Sequence, residues 1–382
     1  MISSLFLHIH PARVSRHVLR PTYTFALGLI SAILFLVLSI TGIALMLYYV
    51  PFPLEAYRSM RDLQFVVTFG IILRNMHRWS AHAMVAVVFL HMCRVFWTGS
   101  YKAPREFNWV VGVLLLLLTL ALSFTGYLLP WDQLAYWAIT VGTNIAAYAP
   151  LVGDQLKYLL LAGHVIGPMT LLRFYVLHCV ILPLAVLVLI SMHIWRVRKD
   201  GLSGSEVTAT PVEEVAGAFP ASTKTHGLMA LARRPRASVE ARDPQDEVFA
   251  WPHLLYRELL VALGVVIVLN VISLVFMAPL EDLADPTRTP NPAKAPWYFL
   301  GLQELVHYSA LVGGVIVPTL LVAGLFVLPF ADRTRGGDGR WFAPERRLMN
   351  VVFTVMVVLF VGLTIVGTLF RGPNWAWVWP WK

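Results

Sequence analysis

Four histidines in two long apolar segments have a spacing that suits the binding of two metal-centred cofactors. His77 and His91 lie 14 residues apart in one segment, and His178 and His193 lie 15 apart in another. Ionisable side chains are costly inside a bilayer, so an intramembrane histidine is by default a candidate functional residue. In a helix each pair would span about 21–22 Å on broadly one side. Two antiparallel helices of this kind predict two stacked b-type haems, each iron bound between two imidazoles.

Two other apolar segments carry glycines at the same period. Gly28 and Gly42 are 14 residues apart, and so are Gly112 and Gly126. A flat macrocycle needs a wall without side chains, and glycine allows the closest approach of a backbone. Glycine is also common in transmembrane helices, where it lets neighbouring helices pack closely. Because the glycines share the period of the histidines, they predict haem-facing grooves in these two segments.

The composition predicts an integral membrane protein. Of 382 residues, 58% are hydrophobic and 13% are charged, whereas soluble domains carry about 25% charged residues. Seven segments are long enough to cross a hydrocarbon core of about 30 Å. These predicted spans are residues 25–49, 77–97, 109–129, 176–196, 257–277, 312–331 and 349–370. We therefore expect an all-α membrane protein, with a four-helix haem-binding transmembrane bundle in residues 25–199 and three further transmembrane helices in residues 251–382.

The positive charges predict the orientation of the chain. About two thirds of the 30 Lys and Arg residues fall on one side of the predicted spans, and the positive-inside rule makes this side cytoplasmic. The N-terminus is then cytoplasmic and the C-terminus outside. The net charge of +9 follows from this topology and does not indicate nucleic-acid binding. Residues 1–24 are predicted as a basic interfacial segment, and residues 200–250, rich in small and charged residues, as a cytoplasmic linker.

Several strings resemble the cytochrome b subunit of quinol:cytochrome c oxidoreductases. Over residues 20–205 the resemblance is specific and is nearest to the cytochrome b6 branch. Over the last three spans it is looser and points to subunit IV of cytochrome b6f, so the chain looks like both parts fused. The strings are LRNMHRWSAHAMVAVVFLHMCRVF, GYLLPWDQLAYWA, LLRFYVLHCVILP, SMHIWRVRKDGLSG and NPAKAPWYFLGLQE.

The resemblance implies roles for the residues described above. His77 and His178 would bind the outer, low-potential haem, and His91 and His193 the inner, high-potential one. Arginines beside these ligands suit the haem propionates, because a guanidinium pairs well with a carboxylate. The candidates are Arg78, Arg94 and Arg173.

The implied activity is oxidation of quinol at the outer side, with one electron passing through the two b haems to quinone at the inner side and protons translocated. The implied partners are a Rieske iron–sulfur protein, a c-type cytochrome subunit or acceptor, quinone and membrane lipid, in a homodimeric complex. A bacterial inner membrane is the expected location.

The outer quinol site is expected between residues 126–137 and the string Pro296-Trp297-Tyr298. The family's usual motif has Glu or Asp before Trp-Tyr, where its carboxylate takes a proton, and here Pro296 holds that position. Glu304 lies seven residues after Trp297 on the same helical face, so it is a candidate substitute base. Glu304 could equally form a structural pair. Tyr127 is a further candidate, as are Asp132 and His307.

A second departure concerns a third haem. Chloroplast-type relatives attach it through a cysteine, and Ala26 stands at that position here. We therefore expect two non-covalent haem b groups and no covalent third haem. His82, about 140° around the helix from His77, is expected to make a packing hydrogen bond and not to be a ligand.

Two other functions remain open at this point. One is a di-haem b membrane anchor that links a quinone pool to a dehydrogenase or reductase partner without bifurcation. The other is a transporter that uses intramembrane histidines as proton relays.

Overall fold

The computed structural model describes residues 10–17, 19–203, 247–334 and 336–381. Most of the predicted linker, residues 204–246, therefore lies outside the described residues. The elements of the described chain are β1 (Arg13–Ser15), α1 (Pro21–Thr24), α2 (Leu27–Met46), α3 (Pro53–Phe65), α4 (Gly70–Trp97), α5 (Glu106–Leu128), α6 (Gln133–Ala147), α7 (Gly153–Leu161), α8 (Pro168–Asp200), β2 (Glu247–Phe249), α9 (Ala250–Val275), α10 (Trp297–Tyr308), α11 (Val312–Ala331) and α12 (Pro344–Leu369).

Seven of the described helices are long and apolar enough to cross a membrane, namely α2, α4, α5, α8, α9, α11 and α12. The predicted all-α membrane fold is confirmed. Several helices extend past the predicted spans; α4, for example, begins at Gly70 and α8 at Pro168. Hydropathy marks only the part of a helix that lies in hydrocarbon, whereas the backbone hydrogen bonds continue into the interfacial layer.

The first four spans form a bundle in which each histidine-bearing helix packs on a glycine-bearing helix. Helix α4 packs along α2, and α8 packs along α5. Small residues on α2 and α5 allow this close approach. Many apolar side chains of α2 face outward, including Leu36, Ile40 and Ile43, as expected for a surface in contact with lipid.

Polar contacts join the first four spans to the last three at one end of the bundle. This end is named the outer end after the predicted orientation, and the opposite end is named the inner end. The Arg74 guanidinium donates to the carbonyls of Ala278 and Pro279 at 2.8 and 2.7 Å. The Asn75 amide donates to the Ser273 carbonyl and accepts from the Ala278 N–H, both at 2.8 Å. Arg74 is therefore used to hold the segment that follows α9.

A second polar network joins the two parts at the inner end. Arg346 and Asp332 form an ion pair at 3.4 Å, and both side chains are fully buried. The Tyr101 hydroxyl donates to Asp332 at 2.5 Å and accepts from Arg346 at 2.7 Å. The loops before α5 and before α12 are thus fixed to each other.

The N-terminal segment contacts both ends of the predicted linker. Strand β1 pairs antiparallel with β2, with Val14 opposite Val248. At the other end of the linker, the Tyr23 hydroxyl donates to the Ser203 carbonyl at 2.5 Å. Residues on either side of 204–246 are therefore held against the same basic segment.

Candidate functional site

The four histidines form two facing pairs inside the bundle. The ring centroids of His77 and His178 are 6.2 Å apart at the outer end, and those of His91 and His193 are 6.4 Å apart at the inner end. Each pair takes one ring from α4 and one from α8. These are the same pairs that the sequence predicted from spacing and topology.

A π-helical turn in α8 reconciles the unequal spacings of the two histidine pairs. Residues Leu177–Ile181 form this turn, and His178 lies within it. A π turn adds one residue to a helix without adding a turn, and such turns are frequent at functional sites. The 15-residue spacing of α8 therefore matches the 14-residue spacing of α4.

The glycines of α2 and α5 lie against the histidine rings. A Cβ atom on Gly126 would lie 2.4 Å from Cε1 of His178, and one on Gly42 would lie 3.2 Å from Cε1 of His77. At the inner end, the corresponding distances are 3.2 Å from Gly28 to His91 and 3.6 Å from Gly112 to His193. Each histidine thus has its own glycine, and Gly126 is the position at which a side chain is least compatible with the ring.

Two threonines, which the sequence reasoning missed, orient the outer pair of histidines. The Thr41 hydroxyl lies 2.9 Å from Nδ1 of His77, and the Thr125 hydroxyl lies 3.2 Å from Nδ1 of His178. A partner on Nδ1 leaves Nε2 free to bind a metal and fixes the ring orientation. Both threonines directly precede a glycine that was predicted to face a haem, so the repeated Thr-Gly pair was the available sequence signal.

The residues of the bundle fit two bis-histidine haems. Imidazoles bind first-row metals such as zinc at about 2 Å, and the centroid separations of 6.2 and 6.4 Å leave room for one metal ion between the two rings of each pair. In the described chain, Arg78 Nε and Arg94 Nη2 are buried polar atoms without a hydrogen-bond partner. Such atoms need a partner, and a haem propionate would supply one. Arg173 differs, because it is exposed and donates to the Leu159 carbonyl.

An apolar cavity of about 310 Å³ lies at the outer end of the bundle. One wall comes from α5 and α6, and the other comes from residues 293–296 and the first turns of α10. Most of the lining is aliphatic or aromatic. The polar or amphipathic side chains in the lining are those of Tyr127, Trp137, Lys294 and Gln303. The cavity lies where the quinol site was expected, and its size suits a small organic ligand.

Trp297 and Tyr298 do not line this cavity, although the sequence predicted that both would belong to the quinol site. They pack instead on α4 around His82. The Trp297 indole N–H donates to Nδ1 of His82 at 3.0 Å, and the Tyr298 ring meets the same imidazole edge-on at 5.6 Å. Burial raises the pKa of Tyr298 to about 12, so its hydroxyl stays protonated at neutral pH. His82 makes the expected packing hydrogen bond.

Glu304 also lies outside the cavity lining, and this corrects its expected role as a substitute base. Its side chain is 1% exposed. The Arg371 guanidinium pairs with both carboxylate oxygens, and the Trp375 indole N–H donates to Oε2 at 3.0 Å. Both oxygens of the carboxylate are occupied by these donors, so the arrangement matches the structural alternative. His307 is also absent from the lining; its ring lies near Tyr308 and Trp375.

Gln303 fixes the loop that forms one wall of the cavity. Its Oε1 accepts from the Ala295 N–H, and its Nε2 donates to the Ala293 carbonyl, both at 2.8 Å. Lys294 lies between the two bonded residues, and its ammonium donates to the Thr368 carbonyl at 2.9 Å. Sequence reasoning missed both residues, although they belong to the quoted string NPAKAPWYFLGLQE.

Asp132 has a structural position beside the cavity and is absent from its lining. It caps α6 by accepting from the Ala135 N–H at 2.9 Å, and it accepts from the Glu281 N–H at 3.2 Å. Burial raises the pKa of Asp132 above the usual range of a carboxyl. Both oxygens are engaged with backbone groups, so the residue fixes the corner between α5 and α6.

Comparison with known proteins agrees with this arrangement. Residues 12–201 match the family model described as Cytochrome b/b6/petB, and residues 283–380 match Cytochrome b(C-terminal)/b6/petD. Cytochrome b6 of Heliomicrobium gestii is 45% identical over 179 residues, which is 47% of this chain and 84% of that protein. Cytochrome b6 of Synechococcus elongatus is 44% identical over 180 residues, again 47% and 84%.

The chain belongs to the cytochrome b/b6 family. A solved structure titled "Hyperthermophilic respiratory Complex III" superposes with a TM-score of 0.79 and 25% identity over 98% of this chain and 90% of that one. The prediction that a cytochrome b6 part and a subunit IV part are fused in one chain is confirmed. Haem b is typical of this family, in agreement with the fit of the two histidine pairs.

Proposed function

We propose that this chain is the di-haem cytochrome b subunit of a quinol:cytochrome c oxidoreductase complex. It would oxidise quinol at the outer side, reduce quinone at the inner side and contribute to proton translocation. One observation carries the proposal. At each end of one membrane-spanning bundle two histidine rings face each other, with ring centroids 6.2 Å apart at one end and 6.4 Å apart at the other. Two cofactors stacked across the membrane are what transfer of electrons between its faces requires.

In this proposal each group of residues in the bundle has a separate task. His77 and His178 would hold the outer haem, and His91 and His193 the inner one. Arg78 and Arg94 would neutralise propionates with their unpartnered N–H groups. Once bound, the two haems would carry single electrons between the outer and inner faces. Arg173 is a propionate candidate from the family resemblance only, since its guanidinium is engaged elsewhere.

The outer cavity would bind the quinol ring. Its aliphatic and aromatic walls exclude water, and Gln303 holds residues 293–295 in the shape of the wall. Tyr127 and Lys294 are the ionisable side chains of the lining. Oxidation of a quinol to a quinone releases two protons and two electrons, and a cavity at the outer end would release the protons outside.

The proposed complex contains a Rieske iron–sulfur protein and a c-type cytochrome subunit or acceptor, and it forms a homodimer in the bacterial inner membrane. The N-terminus would be cytoplasmic. No covalent third haem is proposed, because Ala26 directly precedes α2 and offers no sulfur for a thioether.

A redox-titrated optical spectrum with pyridine haemochrome quantitation tests the proposal on the purified chain with its native partners. Two b haems per chain at separate potentials, with no c-type component on this chain, are the expected result. One haem or none would contradict the histidine assignment and favour a transporter with intramembrane histidine relays.

A second candidate is a di-haem b anchor without bifurcation, and one observation favours it. Among the described residues, the lining of the outer cavity includes no carboxylate. Addition of an oxidant to the quinol-treated complex separates the two functions. A bifurcating complex responds with transient reduction of the b haems, because the two electrons of quinol take different routes, whereas an anchor does not.

A further inference from the structure

Lys294 is the one basic residue in the described lining of the outer cavity. The described lining contains one other ionisable group, Tyr127, and no carboxylate. The Lys294 ammonium donates to the Thr368 carbonyl, 2.9 Å away at the end of α12. An acidic ligand in this cavity would therefore have one basic residue and no carboxylate among the described residues that line it.

The ammonium has donor capacity left for a ligand. A lysine ammonium has three N–H donors, and Thr368 takes one of them. Within the described chain we find no other hydrogen bond and no ion pair for this group. The carboxylate of Glu304, on the neighbouring helix α10, is occupied by Arg371. On the same helix, the neutral amide of Gln303 is committed to the backbone of Ala293 and Ala295, on either side of Lys294.

We propose that Lys294 pairs with the ionised hydroxyl of a quinol or hydroxyquinone in the outer cavity and thereby favours its deprotonation. The proposal rests on the proposed function of this cavity. In this step the ligand O–H bond breaks, the proton leaves to water at the outer face, and the electron pair stays on the oxygen beside the ammonium. No electron is transferred, so no oxidant is needed.

Electrostatics supports a sizeable effect from a single cation. An opposite charge within about 4–6 Å lowers the pKa of an acid by about 1–3 units. The effect is larger where the walls are apolar, because the effective dielectric constant is low. Partial burial lowers the pKa of the Lys294 ammonium, which agrees with a charge that is partly shielded from water.

The simpler alternative is that Lys294 only caps α12. A lysine near a helix C-terminus bonds the last carbonyls and interacts favourably with the helix dipole. Capping alone affects the stability of the chain and leaves the ionisation of a cavity ligand unchanged. The pKa of a bound ligand therefore separates the two roles.

The test uses a redox-stable hydroxynaphthoquinone whose anion absorbs visible light, bound to the purified complex and titrated with acid and base. In the wild type the bound probe should ionise at lower pH than in detergent micelles. Lys294→Met should raise that pKa by about one unit or more, whereas Lys294→Arg should keep it low because it keeps the charge. Lys157→Met is the matched control: this lysine lies on α7 and bonds Asn144 at 2.7 Å, and its loss should change nothing.

Two results would overturn the inference, and they are distinguishable. If the bound probe has the same pKa in the wild type and in Lys294→Met, Lys294 has no electrostatic role, and the assignment of the cavity as a quinone site is unaffected. If the wild-type complex does not bind the probe, and the probe does not inhibit quinol oxidation, the cavity is not a quinone site and both proposals fail. Haem content measured on each variant shows that the bundle is intact.

Discussion

The carboxylate of Glu304 and the guanidinium of Arg371 form a buried ion pair, with Nε of Arg371 at 3.0 and 3.1 Å from the two oxygens. Side-chain exposure is 1% for Glu304 and 10% for Arg371. Arg371 follows α12, and its Cζ lies 5.6 Å from the ring centre of Trp377. The pair therefore ties α10, whose other face lines the outer cavity, to the tryptophan-rich end of the chain.

Glu304→Gln should lower the stability of the protein and slow quinol oxidation only as a consequence. Removal of one member of a buried ion pair leaves the other charge uncompensated and costs about 3–5 kcal/mol. The midpoint of haem absorbance loss on heating should fall by several degrees. The double variant Glu304→Gln/Arg371→Gln should recover part of this loss, because neither charge is then left alone. A slowed rate at unchanged thermal stability would instead restore Glu304 as a base.

His91→Ala should remove one of the two b haems and leave the outer one at least partly intact. His91 and His193 face each other at the inner end, away from the outer pair. Pyridine haemochrome quantitation should fall by about half, consistent with one of two bis-histidine sites. His82→Ala is the control on the same helix, since His82 bonds Trp297 and lies in neither pair. Unchanged haem content in His91→Ala would refute the ligand assignment.

Gly126→Ala should perturb the outer haem much more than Gly112→Ala perturbs the inner one. The new methyl would lie 2.4 Å from Cε1 of His178 in the first case and 3.6 Å from Cε1 of His193 in the second. The first contact forces a side chain or backbone to move, at a cost of about 1–3 kcal/mol, while the second is an ordinary van der Waals contact. Redox-titrated spectra resolve the two haems, and equal shifts in both variants would count against a glycine groove.

The sequence was sufficient for features that depend on local patterns. Apolar runs predicted the seven spans, and the spacing of His77 and His91 predicted which face of α4 carries both rings. Contacts between distant residues could not be predicted in this way. The partner of Glu304 lies 67 residues away, beyond the last span, and no periodicity points to it. The π turn at His178 was also hidden, because a helix period assumes regular hydrogen bonding.

Acid should weaken the inner network around Asp332. Burial alone would raise the pKa of this carboxyl, but hydrogen bonds from Thr334 and Tyr101 outweigh it and lower the pKa below the ordinary value. A lowered pKa in the folded state gives stability that is present above the unfolded value of about 3.9 and is lost as pH falls through the folded pKa. The thermal stability of the complex should therefore decrease as the pH is lowered below about 4.

Asp332→Asn is the variant that isolates this acid effect. It should lower thermal stability at neutral pH, because the buried Arg346 then loses its anionic partner. The part of the acid-induced loss of stability that comes from protonation of Asp332 should then be absent. Asp154→Asn, on the surface helix α7, is the matched control. An identical acid profile in the wild type and Asp332→Asn would exclude Asp332 as the titrating group.

Gln303→Met should weaken quinol binding with little effect on haem content. The amide of Gln303 makes both hydrogen bonds that hold Ala293 and Ala295, whose loop lines the cavity. Methionine keeps the volume but loses both bonds, each of which contributes about 0.5–1.5 kcal/mol, so we expect KM for quinol to rise by about tenfold. Gln303→Glu should be intermediate, because a carboxylate still accepts from the Ala295 N–H but cannot donate to the Ala293 carbonyl. If KM is unchanged in both variants, the loop is held by other contacts and the cavity wall does not depend on Gln303.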